Sequence, residues 1–448
     1  MKDQRDLSFW KLWNLSFGFF GVQIAYALQS SQVSRIFSTI GADPHDLSYF
    51  WILPPLMGLI VQPIVGSASD RTWNRLGRRL PYLLIGAVVA IIVMCLLPNS
   101  GSFGLAISQA IIFGLVMLML LDTSINMAMQ PFKMLVGDMV NERQKGLAYS
   151  IQSFLCNAGS VVGYVAPFVL AWFLSNTAPA GEVPPTVTWA FYLGAFILLL
   201  CVIYTFAKVK EMPPAEYAAF HGIDVAKEDK GPKENMFRLL VKAPKVFWTV
   251  GLVQFFCWSA FLYMWTYTNG AIADTVWNTT DTHSEAYQQA GNWVGVLFAV
   301  QAVGSVIWAV AIPMFKNHKM VYSLSLILGG LGFISTIFIT NQYVLFFSFL
   351  LIGCAWAAML ALPFTILTNS ISGENMGTYL GLFNGTIGLP QICAAALGGL
   401  ILPMLGGRQV SMLVLAGVLL IIGACCVSFV KETYAEARKT DKMLSEEL

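Results

Sequence analysis

Charged residues are scarce in this sequence. Asp, Glu, Lys and Arg make up 11% of the 448 residues, whereas an ordinary soluble domain carries about 25%. Hydrophobic residues make up 57%. So few charges cannot cover the surface of a water-soluble protein of this length, and so many apolar residues exclude a disordered chain. The composition therefore predicts a protein that lies mostly in lipid.

Patterns that mark an enzyme or a metal centre are also missing. The eight cysteines lie in apolar runs without C-x-x-C spacing or a neighbouring histidine. We interpret them as small hydrophobic residues packed in helices. No pairing of a nucleophile with a base stands out. We therefore expect no enzymatic activity, no metal, no organic cofactor and no nucleic-acid partner.

Long apolar runs, in contrast, fill most of the chain. A helix needs roughly 20 apolar residues to cross a bilayer. The runs are continuous rather than alternating, which favours helices over a β-barrel. The sequence thus predicts an all-α membrane protein with twelve transmembrane helices. The predicted spans are 10–38, 47–69, 81–98, 103–135, 146–175, 187–208, 244–272, 288–315, 320–340, 343–369, 377–405 and 409–430.

The Lys and Arg positions predict the orientation of these spans. If both termini are cytoplasmic, all of the 26 cations except Arg35 and Arg408 fall in segments on the cytoplasmic side, Lys133 among them. This bias is the positive-inside pattern of membrane proteins. We expect Arg35 and Arg408 near the outer side, and no Lys, Arg or His buried at midspan.

A long polar stretch divides the twelve spans into six and six. It runs from Lys208 to Lys245 and contains mixed charges and four prolines. Two six-helix bundles joined in this way are the plan of one large transporter superfamily. The predicted domains are 1–208 (first bundle), 209–243 (cytoplasmic linker), 244–430 (second bundle) and 431–448 (cytoplasmic tail).

The first cytoplasmic loop carries a recognisable motif. Residues 66–79, GSASDRTWNRLGRR, resemble the G-x-x-x-D-R-x-G-R-R signature of the major facilitator superfamily, with three extra residues. The acid at the end of a helix can interact with a neighbouring helix N-terminus, and the arginines can bind carboxylates and lipid headgroups. We expect a gating role rather than topogenic charge alone. The predicted gating residues are Gly66, Asp70, Arg71, Gly77, Arg78 and Arg79.

The three extra residues point to a narrower resemblance. With Arg78 to Tyr82 they resemble the sucrose-transporter branch of the superfamily, which is related to the glycoside–pentoside–hexuronide cation symporters. Matching segments follow in order along the chain. They are Gly21 to Gln29, Gln62 to Gly66, Leu121 to Asn126, Gln130-Pro131, Gly137-Asp138, Asn157, Gly163-Tyr164, Leu362 to Phe364 and Gly381 to Gln391. The branch carries a histidine at the position of His45, which implies a role for His45 in substrate access from the outer loop.

Asp122 is the acidic residue that the pattern places near the middle of a span. A charged carboxylate there costs about 3 kcal/mol or more, and protonation removes that charge. The resemblance implies the same role, because the matching Asp is the proton-coupling residue of the branch. We favour H⁺ over Na⁺ as the coupling ion, since a dehydrated Na⁺ needs several hard oxygens; sodium coupling stays open.

Amides and aromatic rings recur on the predicted spans. Amides pair donors and acceptors with sugar hydroxyls, and aromatic faces suit the apolar face of a pyranose. For each amide, an interhelical hydrogen bond is an equal alternative. The predicted substrate-binding residues are Gln23, Tyr26, Asn126, Gln130, Gln152, Asn157, Gln254, Trp258, Asn384 and Gln391.

Together these features predict a secondary transporter that imports a neutral disaccharide, such as maltose or sucrose, with a proton by alternating access. A proton-coupled exporter of lipophilic compounds and a sodium-coupled sugar symporter remain alternatives. We expect a monomer in a bacterial inner membrane, with the lipid bilayer and a small sugar as its partners.

Overall fold

The computed structural model describes residues 6–213, 216, 240–315, 317–370 and 382–431, without the side chains of Asp70, Glu142 and residues 368–370. Most of the predicted linker 209–243 and nearly all of the predicted tail 431–448 lie outside the described residues.

Most of the described backbone is helical. The helices are α1 (Phe9–Ile40), α2 (Pro44–Phe50), α3 (Leu53–Arg71), α4 (Leu80–Leu96), α5 (Ile107–Met139), α6 (Glu142–Leu170), α7 (Pro185–Lys208), α8 (Lys245–Val276), α9 (Glu285–Ala311), α10 (His318–Ser335), α11 (Leu345–Ser370), α12 (Gly385–Met404) and α13 (Gln409–Cys426). Short 3₁₀ turns follow α4, α9 and α13. The described ranges contain no β-strand, and the predicted all-α class is confirmed.

Twelve of these helices correspond to the twelve predicted spans, and α2 is the additional short one. Ten segments of the described chain are long and apolar enough to cross a membrane. Helices α1 and α10 are not among the ten. In α1 the reason is visible in the polar run from Gln29 to Arg35, which interrupts its apolar sequence. The chain is a multi-pass membrane protein.

Two predicted spans differ locally from the observed helices. The second span is not continuous, because α2 ends at Phe50 and α3 begins at Leu53, just before Pro54-Pro55. The fourth span has the predicted length but lies four residues further along the chain: α5 runs from Ile107 to Met139, and Lys133 lies inside this helix. Pro131 lies inside α5 without ending it.

The helices form two compact units. Unit 1 comprises residues 1–43, 56–230 and 279–299, and unit 2 comprises residues 44–55, 231–278 and 300–448. Each unit therefore contains mainly one half of the sequence plus one short segment from the other half. The division into bundles 1–208 and 244–430 stays a prediction.

In unit 1, α1 packs against α5, α6 and α7, and α4 packs along α5 and α7. Small residues allow these close approaches. A Cβ atom at Gly163 of α6 would lie 2.8 Å from the carbonyl oxygen of Ile24 on α1. Apolar side chains fill the end of the unit where α1 begins, in a cluster of Leu12, Leu15, Val136, Val140, Ala148, Ile151, Leu155 and Val209.

In unit 2, α8 packs against α12 and α13, and α10 packs against α11 and α13. Two glycines face each other where α10 crosses α13. A Cβ atom at Gly330 would lie 2.8 Å from the carbonyl oxygen of Gly417. Helix α2 packs against α12, and the hydroxyl of Ser48 donates to the carbonyl oxygen of Ala395 at 2.8 Å.

Candidate functional site

Asp122 lies on α5 inside unit 1, with 2% of its surface exposed. Each carboxylate oxygen accepts a hydrogen bond from an amide. Gln29 Nε2 on α1 donates to Oδ1 at 2.9 Å, and Asn126 Nδ2 donates to Oδ2 at 2.7 Å. The carboxylate is therefore held by neutral N–H groups, which stabilise the charged form while leaving it free to accept a proton.

The amide network continues beyond Asn126. Gln62 Nε2 on α3 donates to Asn126 Oδ1 at 2.6 Å, and Gln130 Nε2 donates to Gln62 Oε1 at 2.7 Å. Two residues predicted to share a face of one helix, Asn126 and Gln130, are thus joined through a second helix. Gln130 and Gln62 are partly exposed. A polar path therefore leads from the buried carboxylate towards accessible amides.

Two predicted residues of α1 lie in the same unit. Tyr26 interacts electrostatically with Asp122, and its side chain is partly exposed. The hydroxyl of Ser160 on α6 donates weakly to Gln23 Oε1 at 3.4 Å. Gln23 is also partly exposed. Both side chains therefore have surface that a ligand can contact.

The two predicted residues of α6 differ from one another. Gln152 is buried, and its Nε2 donates to the carbonyl oxygen of Phe132 at 3.0 Å, which ties α6 to α5. This bond is the interhelical alternative to substrate binding. The Asn157 side chain is partly exposed, and its Nδ2 donates to the carbonyl oxygen of Ser153 one turn earlier. Its Oδ1 remains a candidate contact for substrate.

Arg35 is one of the two cations predicted near the outer side, and it lies within α1. It is fully buried in unit 1 near the end of α1. Nε donates to Gln288 Oε1 at 2.8 Å, and Nη1 donates to Asn292 Oδ1 at 2.8 Å and to Gln32 Oε1 at 3.0 Å. Amide dipoles replace the water that an arginine requires. Because its donors are engaged within the unit, Arg35 does not present an open site for an anionic substrate.

Of the predicted residues in unit 2, Gln254 is held by hydrogen bonds to other helices. Gln254 on α8 is buried; its Nε2 donates to the carbonyl oxygen of Met359 at 3.2 Å, and Tyr322 donates to its Oε1 at 3.3 Å. Trp258, one turn further, packs edge-on against Trp356 with ring centroids 5.7 Å apart. Its indole Nε1 is buried without a hydrogen-bond partner among the described residues.

Two further predicted residues lie on or beside α12. Gln391 is buried on this helix, next to Pro390, whose carbonyl oxygen accepts a bond from Ser259 at 3.4 Å. Asn384 is exposed at the N-terminal end of the helix. Residues 371–381, which precede it closely in the sequence, lie outside the described residues. The structure therefore describes only part of the surroundings of Asn384.

The predicted gating loop is held by acidic residues of unit 1. Arg79 Nε donates to Asp138 Oδ2 at 2.9 Å, and Arg78 approaches the same carboxylate at 3.3 Å. Arg79 also binds the hydroxyl of Ser69, which donates to the carbonyl oxygen of Gly66 at 2.9 Å. Arg71 is exposed. The side chain of Asp70 lies outside the described residues, so its gating role stays a prediction.

Glu211 is a partner of this loop that sequence reasoning missed. It lies beyond the end of α7, inside the predicted linker. Its carboxylate accepts from the backbone N–H groups of Arg78 at 2.9 Å, Arg79 at 2.8 Å and Leu80 at 2.7 Å, and thereby caps the N-terminus of α4. Gly77 has φ +111°, and a Cβ atom there would lie 2.6 Å from Glu211 Cδ. No local signal in the sequence connects these segments.

His45 lies in a helix rather than in a loop. It is the second residue of α2 in unit 2, and its carbonyl oxygen would lie 2.6 Å from a Cβ atom at Gly399 of α12. The histidine is partly exposed. Its role in substrate access stays a prediction, but its position is fixed by helix packing.

Comparisons with known proteins agree with this architecture. Residues 36–407 match the family described as MFS/sugar transport protein. The chain is 22% identical over 418 residues to sucrose transport protein SUC4 of Arabidopsis thaliana, a match that covers 85% of this chain and 81% of that protein. It is 30% identical over 212 residues to sucrose transport protein SUT1 of Oryza sativa subsp. japonica, covering 43% of this chain and 39% of the rice protein.

A solved structure shares the fold. The D-xylose-proton symporter superposes with a TM-score of 0.68 at 15% identity, over 94% of this chain and 97% of that chain. At that identity the likeness concerns the helical architecture alone. The family match, in contrast, extends over most of the sequence and includes Asp122 and the amides of α3 and α5. The chain therefore belongs to the MFS/sugar transport protein family and is a sugar transporter of the major facilitator superfamily.

Proposed function

We propose that this transporter imports a neutral disaccharide of the maltose or sucrose type together with a proton. The observation that carries the proposal is the environment of Asp122. A buried carboxylate whose two oxygens accept bonds from Gln29 and Asn126 can exist charged, and it becomes neutral when it binds one proton. Such a group can carry a proton across the membrane with the substrate.

The chemistry of the accessible side chains supports a neutral saccharide. Gln23, Tyr26, Asn157 and Gln130 offer amide and hydroxyl groups on unit 1. These groups match sugar hydroxyls as donors and acceptors. Relatives named as sucrose transport proteins support a disaccharide as the cargo. Arg35 does not argue for an anionic substrate, because its donors are bound to Gln32, Gln288 and Asn292.

Counterflow in proteoliposomes tests the substrate. Vesicles preloaded with maltose, sucrose or melibiose are diluted into labelled saccharide, and exchange is measured without an imposed gradient. We expect exchange of at least one of these disaccharides. Absence of saccharide exchange at every pH, with export of a lipophilic dye driven by a proton gradient, would favour the exporter instead.

Uphill uptake tests the coupling ion. An inwardly directed proton gradient is expected to drive accumulation in wild-type protein, and a sodium gradient at constant pH is not. Asp122→Asn is expected to exchange saccharide but to lose the proton-driven accumulation, since the amide cannot bind the proton. Asp274→Asn is the matched control, because Asp274 lies in a partly exposed ion pair with Arg408 in unit 2. Accumulation by Asp122→Asn at the wild-type level would refute the proton role.

We also propose that both termini are cytoplasmic and that the protein resides in a bacterial inner membrane. The distribution of cations along the sequence supports this orientation. Fusion of a fluorescent protein that matures only in the cytoplasm to the C-terminus gives the test. Bright cells are expected; dark cells that contain full-length fusion would reverse the orientation.

A further inference from the structure

Gln29 of α1 is buried with 1% of its surface exposed, and its amide is only half satisfied. Nε2 donates to Asp122 Oδ1 at 2.9 Å. The other end of the amide, Oε1, is buried without a hydrogen-bond partner in the described part of the chain. A buried acceptor thus lies on the same amide group that donates to the carboxylate. Unpaired buried acceptors are uncommon and call for an explanation.

The amide on the other carboxylate oxygen is fully committed. Asn126 Nδ2 donates both to Asp122 Oδ2 at 2.7 Å and to the Asp122 carbonyl oxygen at 2.9 Å. Asn126 Oδ1 accepts from Gln62 at 2.6 Å. A half-turn of the Asn126 amide would break all of these bonds. A half-turn of the Gln29 amide would break the single bond to Asp122 and replace it.

We propose that Gln29 is a positioning residue for proton binding, which donates to the Asp122 carboxylate and accepts from the protonated acid. The inference rests on the proposed proton-coupling role of Asp122. The proton binds Oδ1, and the charge of the group changes from −1 to 0. The Gln29 amide rotates by half a turn, so that Oε1 accepts from the new O–H group. Asn126 keeps its bonds in both states.

The exchange is reversible because neither state is fully satisfied. When the carboxylate is charged, Gln29 Oε1 has no hydrogen-bond partner among the described residues. When the acid is protonated and the amide has rotated, the Gln29 amino group is the end without such a partner. The two orientations of the Gln29 amide, related by a half-turn, occupy nearly the same space, so the rotation needs little room. Each state therefore keeps one Gln29 bond to Asp122, and proton binding moves a side chain of α1 without repacking α5.

Few other ionisable groups of the described residues face Asp122. Tyr26 on α1 interacts with it electrostatically, and Tyr164 on α6 approaches Tyr26 in turn. Arg35 lies further along α1 and Lys133 further along α5. Helix α4, which packs along α5, carries Tyr82 and Cys95 but no acidic or basic residue between Leu80 and Leu96. Gln29 is therefore the polar contact from α1 that the structure assigns directly to the carboxylate.

Transport as a function of pH tests the proposal. Gln29→Leu removes the Gln29 bond from both forms of Asp122, and the bond to the charged carboxylate is the stronger of the two, so Asp122 retains its proton at higher pH. We expect saccharide counterflow to persist and the pH of half-maximal proton-driven uptake to move to the alkaline side by about one unit. Gln289→Leu is the matched control, since Gln289 is exposed on α9 and binds Glu285 one turn away. It is expected to keep the wild-type profile.

Infrared difference spectroscopy on acidification gives a readout that a merely structural role would not move. The carboxylic C=O band that disappears in Asp122→Asn reports the protonated acid. In Gln29→Leu this band should shift to higher frequency, because the acid loses its acceptor. Gln29→Glu offers a second variant of the same size. Two acidic groups would then share one proton, and the pH profile should move further to the alkaline side.

The proton role of Asp122 and the positioning role of Gln29 are overturned by different results. If Asp122→Asn accumulates saccharide like wild type, the proton role of Asp122 fails and the inference about Gln29 falls with it. If Asp122→Asn loses accumulation and both Gln29 variants keep the wild-type pH profile and C=O frequency, the proton role stands and only the inference is overturned. A shifted profile with a shifted band supports both.

Discussion

Arg35 binds Gln288 at two points, although the residues are 253 positions apart in the sequence. Nε donates to the side-chain Oε1 at 2.8 Å, and Nη2 donates to the backbone carbonyl oxygen at 2.7 Å. Both residues belong to unit 1. A guanidinium can hold this pair of acceptors because its donors are fixed in a planar fork. The buried charge is thereby solvated by the protein itself.

Arg35→Lys is expected to lower the stability of the protein. A lysine keeps the charge but presents its donors from a single nitrogen, so it cannot satisfy Gln288 and Asn292 in their present positions. We expect a loss of about 1–3 kcal/mol, because buried acceptors lose their partners. Thermal unfolding in detergent measures the effect as a fall of several degrees in the apparent Tm.

Arg408→Lys is the control for that substitution. Arg408 is 57% exposed, and its ion pair with Asp274 lies in unit 2. Exposed ion pairs contribute about 0–1 kcal/mol, so the apparent Tm should stay close to that of the wild type. Equal effects of the two substitutions would contradict a special role of the buried guanidinium.

Glu211→Ala is expected to loosen the loop before α4. The carboxylate caps three backbone N–H groups at a helix N-terminus, where negative charge is favourable. Its removal should cost about 1–2 kcal/mol. Faster proteolysis between α3 and α4 would report the loosened loop. Glu285→Ala on the exposed first turn of α9 provides the comparison, and it should leave that cleavage rate unchanged.

Gly77→Ala tests the same contact from the other side. The substitution forces an alanine to φ +111° and drives its Cβ towards Glu211. Gly104→Ala also requires positive φ, +68°, but its Cβ atom would meet none of the described residues within 4 Å. A positive φ alone costs about 1–2 kcal/mol, so Gly77→Ala should be the more destabilising of the two. Introducing Glu211→Ala should reduce the difference; an unchanged difference would assign it to backbone strain alone.

Gly330→Ala is expected to disturb the crossing of α10 and α13. The new methyl group would lie 2.8 Å from the carbonyl oxygen of Gly417, which is backbone and cannot move aside easily. Overpacking of this kind costs about 1–3 kcal/mol. Gly385→Ala, where no described residue lies within 4 Å of the added Cβ atom, should be neutral or stabilising by up to about 1 kcal/mol. Opposite changes in Tm are the expected result.

Much of the fold follows from composition and periodicity. Continuous apolar runs must satisfy their backbone hydrogen bonds internally when they lie in lipid, so each run forms a helix wherever it packs later. For that reason the twelve predicted spans correspond to twelve observed helices. Helix boundaries follow less directly, because neighbouring helices let a proline sit inside a membrane helix and a lysine near its end can remain helical; Pro131 and Lys133 lie within α5.

In the candidate site, too, some contacts follow from the sequence and others only from packing. Asp122 and Asn126 are neighbours on one helix, and their spacing alone brings them together. Gln29 belongs to a segment that the family resemblance covers, and Arg35 falls inside a predicted span, but neither pattern shows its partner. Gln152 and Gln254 fit the pattern of substrate ligands, whereas packing gives them interhelical bonds.

The amino-acid sequence by itself determined that this protein spans a membrane through helices, that it belongs among sugar transporters, and that Asp122 is an acid inside an apolar span. Those properties depend on hydropathy and on short spacings along one helix. Only the tertiary structure decided which amide reaches each oxygen of Asp122, which carbonyl groups solvate Arg35, and that Glu211 caps α4. These contacts join residues distant in sequence, and their geometry exists only after the helices have packed.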